Sequence, residues 1–308
     1  MLVRGAPCNR ICTGELVLLL VRFKGHFANH GHLECMELLL NNKKWKYLVF
    51  MQNNDVLIKT HAEIVQIFLA MNGADDLEMM ECQFNRCGDY EENIGKLGLC
   101  PRSLTGNSLK YCQEKKVTWS KGSVHLSLSR TTAEYIKKEI NYTHFRDVLN
   151  NHSFGVDEIL MQTLFTTRVL GLQNAYPTRC IPAGPLPVKH QVFATRYNHW
   201  NWLDNNCSSG VWRHAVCVFG VGDLQLLAGV NAIMANKMLP EVDYGAVACM
   251  SELLFNRTHR GLKDHQINIE AIHNLPMVRY HRGLVANGSS IYNTFVCPNI
   301  PMGEKMLE

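Results

Sequence analysis

Long apolar runs are missing from this chain of 308 residues. The longest near the start, residues 16–21, falls far short of the roughly 20 residues that span a bilayer. It also lacks the shape of a signal peptide. No Cys-x-x-Cys pair occurs; Cys8/Cys12 and Cys82/Cys87 are the tightest spacings, which disfavours a zinc knuckle. No Asp-x-Asp occurs either, so that common carboxylate pair for a divalent ion is excluded. The net charge of +4 is too small, and aromatic–basic alternation too scarce, for a nucleic-acid binder. No internal repeat or low-complexity stretch appears.

What is present describes a folded, globular chain. Hydrophobic residues make up 46% and charged residues 19%, enough to bury one large domain or two fused lobes. Twelve cysteines are many for a cytosolic enzyme. Asn-x-Ser/Thr sequons stand at Asn141, Asn151, Asn206, Asn256 and Asn287. Together they favour disulfides and a lumenal or extracellular compartment. The order of the cysteines does not give their pairing.

Along the chain, strands and helices alternate, which argues an α/β fold with a sheet flanked by helices. Residues 16–21 read as one buried strand and residues 33–40 as a short amphipathic helix. Residues 47–51 are apolar on both faces, as in a covered parallel strand. Asp55 then lies at a strand's carboxyl end, where α/β sheets bind ligands. Thr60 and Glu63 form a capping box, with Gly73 ending that helix. Residues 75–116 read as a disulfide-held excursion over the sheet. Residues 122–129 alternate like a half-buried strand, followed by a helix capped by Thr131 or Thr132. Residues 153–164 start a helix with Asp157 and Glu158 in its first turn. The stretch from 172 to 203 is loop-rich, a helix begins near Tyr244, and the tail from Arg260 reads as irregular.

Residues 207–252 carry the most chemistry. Arg213 and His214 precede a buried strand ending at Gly220 and Gly222. Asp223 caps a helix, and Lys237 falls in a second loop beyond it. Two such loops can close on one anionic ligand; taken alone, they are equally a solvated Arg and Lys beside an ordinary helix. Glu158 reads either as a helix-dipole carboxylate or as a general base. With a carboxylate base and no Asp-x-Asp, fixed cations would have to stabilise a leaving diphosphate. Trp200 and Trp202 suit a sugar platform or a packed core pair. His30 and His32 have no neighbouring ligands and read as loop or surface histidines. No cysteine has a persuasive histidine partner as a nucleophile.

The wording of the stretch (Cys217, Phe219-Gly220, Gly222-Asp223-Leu224, then Ala235-Asn236-Lys237 and Val242-Asp243) resembles the core-2/I-branching N-acetylglucosaminyltransferases, glycosyltransferase family 14. Trp45 to Leu48, Asp55, residues 58–60 and 63–65, Gly122-Ser123 and Asp157-Glu158 resemble the same family, covering about residues 29–252. The resemblance implies a disulfide-bonded GT-A-type fold in the Golgi lumen, on a type II membrane anchor. It implies inverting, metal-independent transfer of N-acetylglucosamine from UDP-GlcNAc to an O-glycan acceptor in β-1,6 linkage. Partners are then a nucleotide sugar and a glycan, with no cofactor. By position, Glu158 resembles the catalytic base and Lys237 the diphosphate lysine. The diphosphate arginine falls on Arg213 or His214, depending on where one inserted residue is counted. Trp200, Trp202 and Glu78, or Glu81, match acceptor-side residues. The family's first nucleotide-binding strands have no visible counterpart before Asn29. The expected organisation is therefore an atypical segment 1–28 without an anchor, then a transferase domain 29–308. The rival reading is an inactive lumenal glycan-binding homologue, with a peptide O-xylosyltransferase as the sibling activity.

Overall fold

The computed structural model describes residues 2–5, 25–151, 155–183, 192–203 and 205–298. The strand expected at residues 16–21, and Cys8 and Cys12, lie outside them. The described chain opens with a strand–helix–strand unit. β1 (Leu2–Gly5) runs parallel to β2 (Tyr47–Gln52), and α1 (Ala28–Leu40) connects them. α1 starts earlier than its amphipathic stripe suggested, because Asn29 is buried and donates from Nδ2 to the Val156 carbonyl at 2.9 Å. The surface reading of the two histidines is wrong. His32 is buried and stacks on Phe50 with ring centroids 4.6 Å apart, and His30 pairs with Asp147 at 3.1 Å.

β2 owes its apolar run to two cores. Leu48 and Phe50 face one, while Tyr47, Val49 and Met51 face the other. β3 (Val56–Leu57) follows, then α2 (His61–Met71), whose capping box uses Thr60 and Glu63 as expected. β4 (Asp76–Leu77) forms the far edge of the first sheet. The excursion carries β5 (Met80–Glu81), α3 (Phe84–Cys87), α4 (Ile94–Leu97) and α5 (Gly106–Gln113). Cys82–Cys87 and Cys100–Cys112 bridge it.

β6 (Ser120–Lys121) pairs with β5, and β7 (Leu126–Ser129) runs antiparallel to both β2 and β4. The sheet order is β1-β2-β7-β4, mixed rather than parallel. The half-buried strand expected at 122–129 is instead a loop followed by a fully buried strand. Its serines are inside because each has a partner: Ser127 Oγ meets Thr195 Oγ1 at 2.8 Å, and Ser129, not Thr131 or Thr132, caps α6 (Arg130–Glu139). α7 (Thr143–Asn150), a 3-10 turn at Val156–Glu158 and α8 (Leu160–Thr166) pack on the same core.

The rest of the chain builds the second side. β8 (Arg196–Tyr197) precedes the hairpin of β9 (Trp212–Arg213) and β10 (Val216–Cys217), which Cys207–Cys217 closes. α9 (Leu224–Gly229) leads to β11 (Met234–Ala235), centre of a second sheet ordered β3-β11-β8. α10 (Tyr244–His259) begins at an Asp243 cap. The tail is not irregular. It forms α11 (Ile269–Asn274), α12 (Pro276–Asn287) and α13 (Ile291–Thr294). Proline at the first turn of α12 starts a helix rather than breaking one, and Cys180–Cys297 fastens the tail to the first core.

Candidate functional site

The short strands of the second sheet and of the β9–β10 hairpin bring positive charge together. Lys237 follows β11, Arg213 ends β9 and Arg196 opens β8. Lys237 Nζ donates to the Arg213 carbonyl at 2.8 Å. Burial first, then the Arg213 and Arg196 charges, pull the Lys237 amine down to about 8. A half-buried ammonium crowded by two guanidinium groups is a place where an anion gains most. His214 sits differently. It and Ala215 are the two central residues of the hairpin turn, both at positive φ, 53° and 64°. That is the backbone of a type I′ turn, here without its usual glycine or asparagine. His214 is exposed at the tip, whereas Arg213 is the residue that meets Lys237.

Several carboxylates support this strand-end region. Asp223 does not cap α9 forward; it reaches back to the Gly220 amide at 2.8 Å and to Ser208 Oγ at 2.6 Å. A Cβ on Gly222 would lie 2.8 Å from that of Ser208, so the loop requires glycine there. Asp55 is at the strand end where ligands were expected, and it is buried. It accepts from His125 Nε2 at 2.8 and 3.0 Å, from Asn236 Nδ2 at 2.7 Å and from the Gln52 amide at 2.5 Å. Burial opposes its ionisation, but His125, the Arg196 charge and the Gln52 amide together hold its carboxyl below the usual range.

Glu158 closes the 3-10 turn before α8. Its Oε2 accepts from Arg86 at 3.1 Å, and the same guanidinium group donates to the Gly155 carbonyl. The carboxylate remains 40% exposed, open to a hydroxyl from solvent. Neighbouring Asp157 is half-buried, and desolvation, then the Glu158 charge, push its carboxyl up to about 6. Glu158 makes no direct contact with Lys237 or Arg213. Two connections lead from it towards them: the Gly122 amide donates to the Glu158 carbonyl at 2.9 Å, and Gln52 Nε2 donates to Asp157 at 3.2 Å.

The acceptor-side candidates divide. Glu78 is buried beside Gly122, and its charge reaches His125, whereas Glu81 is exposed. Trp200 and Trp202 stack on each other, centroids 4.3 Å apart, and Trp200 bridges to Val216 beside the Arg213 hairpin. Sequence reading missed Arg86, Arg196, His125, Asn236 and Gln52. All of them stood in quoted or neighbouring stretches, but no local pattern distinguishes such residues from ordinary polar ones. A groove between α9 and α10, lined in part by Leu224, Cys249 and Arg257, holds none of the candidates.

The family model described as Branch, core-2/I-branching enzyme, matches residues 19–228. A Bos taurus beta-1,3-galactosyl-O-glycosyl-glycoprotein beta-1,6-N-acetylglucosaminyltransferase is 28% identical over 249 residues, covering 75% of this chain and 54% of the relative. The Homo sapiens protein of that name with the suffix 3 is 24% identical over 238 residues, 72% and 51% of the two chains. One from Bovine herpesvirus 4 is 25% identical over 243 residues, 74% and 52%. The chain thus spans about half the length of the curated relatives it matches. With the matched region reaching from α1 to α9 and taking in Glu158 and Arg213, the chain belongs to the core-2/I-branching enzyme family, and its mixed α/β architecture is of that family's GT-A type.

Proposed function

We propose that this chain transfers N-acetylglucosamine from UDP-GlcNAc to an O-glycan hydroxyl in β-1,6 linkage, with inversion and without a metal. The observation that carries the reading is the cation cluster: Lys237 held beside Arg213 and Arg196, its amine pulled down to about 8. In the proposed reaction the acceptor oxygen bonds to the anomeric carbon as the bond to the β-phosphate oxygen breaks. Glu158 takes the hydroxyl proton, with Arg86 fixing the orientation of its carboxylate. Lys237 and Arg213, rather than His214, take up the negative charge of departing UDP. Trp200 and Trp202 offer an aromatic face to the acceptor, and Glu78 serves as an acceptor-side carboxylate. The relatives' printed names support the sugar and the linkage. The four described disulfides support an oxidising lumen, and the family resemblance makes the Golgi the compartment of this reading. No helix among the described residues is long and apolar enough to cross a membrane.

Two measurements test this. Glu158→Gln should abolish transfer while leaving UDP affinity unchanged, and EDTA should leave wild-type turnover intact. Turnover by Glu158→Gln, or its loss with EDTA, refutes the corresponding role. Glycan binding with no UDP binding would favour the inactive homologue instead.

A further inference from the structure

Asp55 and His125 form a buried pair that the transfer chemistry does not use. Both side chains are almost wholly excluded from solvent, at 0% and 1% exposed. The imidazole lies in one hydrogen-bond series. Ser123 Oγ accepts from the His125 amide at 3.2 Å and stands 3.0 Å from Nδ1, while Nε2 faces the Asp55 carboxylate. A neutral ring with its proton on Nε2 satisfies every contact: Nε2 donates to Asp55, and Nδ1 accepts from the Ser123 hydroxyl.

The carboxylate is the hub of three chain segments. From the last residue of β2 it accepts the Gln52 amide, and from the loop after β11 it accepts Asn236 Nδ2. Asn236 is the residue before Lys237, and the following Met238 amide donates to the Asn54 carbonyl at 3.2 Å. The Lys237 carbonyl accepts from the Phe219 amide at 2.8 Å, which ties the same loop to the strand that follows Arg213. Gln52 meanwhile donates from its side chain to Asp157, next to Glu158. Charged or titratable groups facing the pair are Arg196 from β8, Glu78 beyond β4 and His32 from α1.

We propose that Asp55 and His125 are positioning residues: the pair locks Asn236, and through it sets the place of Lys237 against Arg213, while Gln52 keeps that anion-binding side in register with the turn bearing Glu158. This rests on the donor-site reading above for its purpose but not for its geometry. Removing either member leaves a buried donor without an acceptor, or a buried anion short of a donor, beside the backbone of Lys237. Supporting groups of this kind set the position of the atoms that touch ligand.

The test uses the full chain with Asn236→Ala, His125→Phe and His125→Gln. Glutamine retains an N–H that reaches Asp55; phenylalanine does not. Titration of Lys237, followed by NMR of isotopically methylated lysines, reads its surroundings without any donor. Asn236→Ala and His125→Phe should both move the Lys237 midpoint up towards that of a free lysine, and His125→Gln should return it. UDP calorimetry on folded protein should then show about a tenfold loss for the first two and near-recovery for the third. A Lys237 midpoint unmoved in both Asn236→Ala and His125→Phe, whatever happens to their melting temperatures, overturns the proposal. A midpoint that moves in a protein that never binds UDP leaves the positioning intact and removes the donor reading instead.

Discussion

Lys237 is the residue on which ligand charge acts most directly. Its amine lies at about 8, below the ordinary lysine value, because it is half-buried beside Arg213 and Arg196. A diphosphate favours the ammonium form, so binding above that value takes up a proton. UDP affinity should therefore fall between pH 7 and pH 9, and calorimetry in buffers of different ionisation enthalpy should register proton uptake on the alkaline side. Asp157 has the opposite charge and the opposite consequence. Its folded carboxyl, at about 6, lies above its unfolded value, as do those of buried Asp75 and Asp76. The folded state then holds protons that the unfolded chain has released, and stability is lost as pH rises from about 4 to about 6. Asp157→Asn should flatten part of that slope in thermal melts, with the other two acids supplying the remainder. At this scale Glu158 and Lys237 stood out in the sequence through motif wording. Arg86 and His125 did not, since their roles come from contacts 72 and 70 residues away along the chain.

The hairpin β9–β10 is the element that decides which cation serves the ligand. Cys207–Cys217 closes ten residues around it, and the turn places His214 and Ala215 at positive φ. Replacing that pair by Asn-Gly suits the turn better and removes the imidazole. UDP affinity should be unchanged in that double variant and reduced in Arg213→Ala; the reverse order would return the role to His214. Cys207→Ala with Cys217→Ala should weaken UDP binding about tenfold and cost roughly 2–3 kcal/mol in denaturant unfolding, less than opening the longest loop would. Elements with strong end signals were legible, notably α2 through Thr60 and Glu63 and α10 near Tyr244. The tail was not, because α11 and α13 are short and α12 buries a histidine, His281, within its apolar face. Residues 122–129 misled in another way. Alternating serines imitate a solvent face until Thr195 arrives from far along the chain to meet Ser127, and Ser129 turns to cap the helix that follows it.

At the scale of the whole molecule, the longest covalent constraint described is Cys180–Cys297, at a sequence separation of 117. Tyr176, Tyr280 and Phe295 pack edge to face beside it, and Arg179 donates to the Phe295 carbonyl. Cys180→Ser with Cys297→Ser should cost roughly 2–5 kcal/mol in denaturant unfolding, with UDP affinity of the folded fraction retained. The α/β class was legible from alternating strands and helices. The division of the described strands into four small sheets was not, because two-residue strands such as β3, β8 and β11 carry no period to read.

The strand Tyr47–Gln52 belongs to both hydrophobic cores at once, its odd residues on one side and its even residues on the other. The molecule therefore has no seam along which one half can melt while the other stands. Anything that grips the cation pocket should slow amide exchange in the helices packed against the opposite flank, although no ligand atom comes near them.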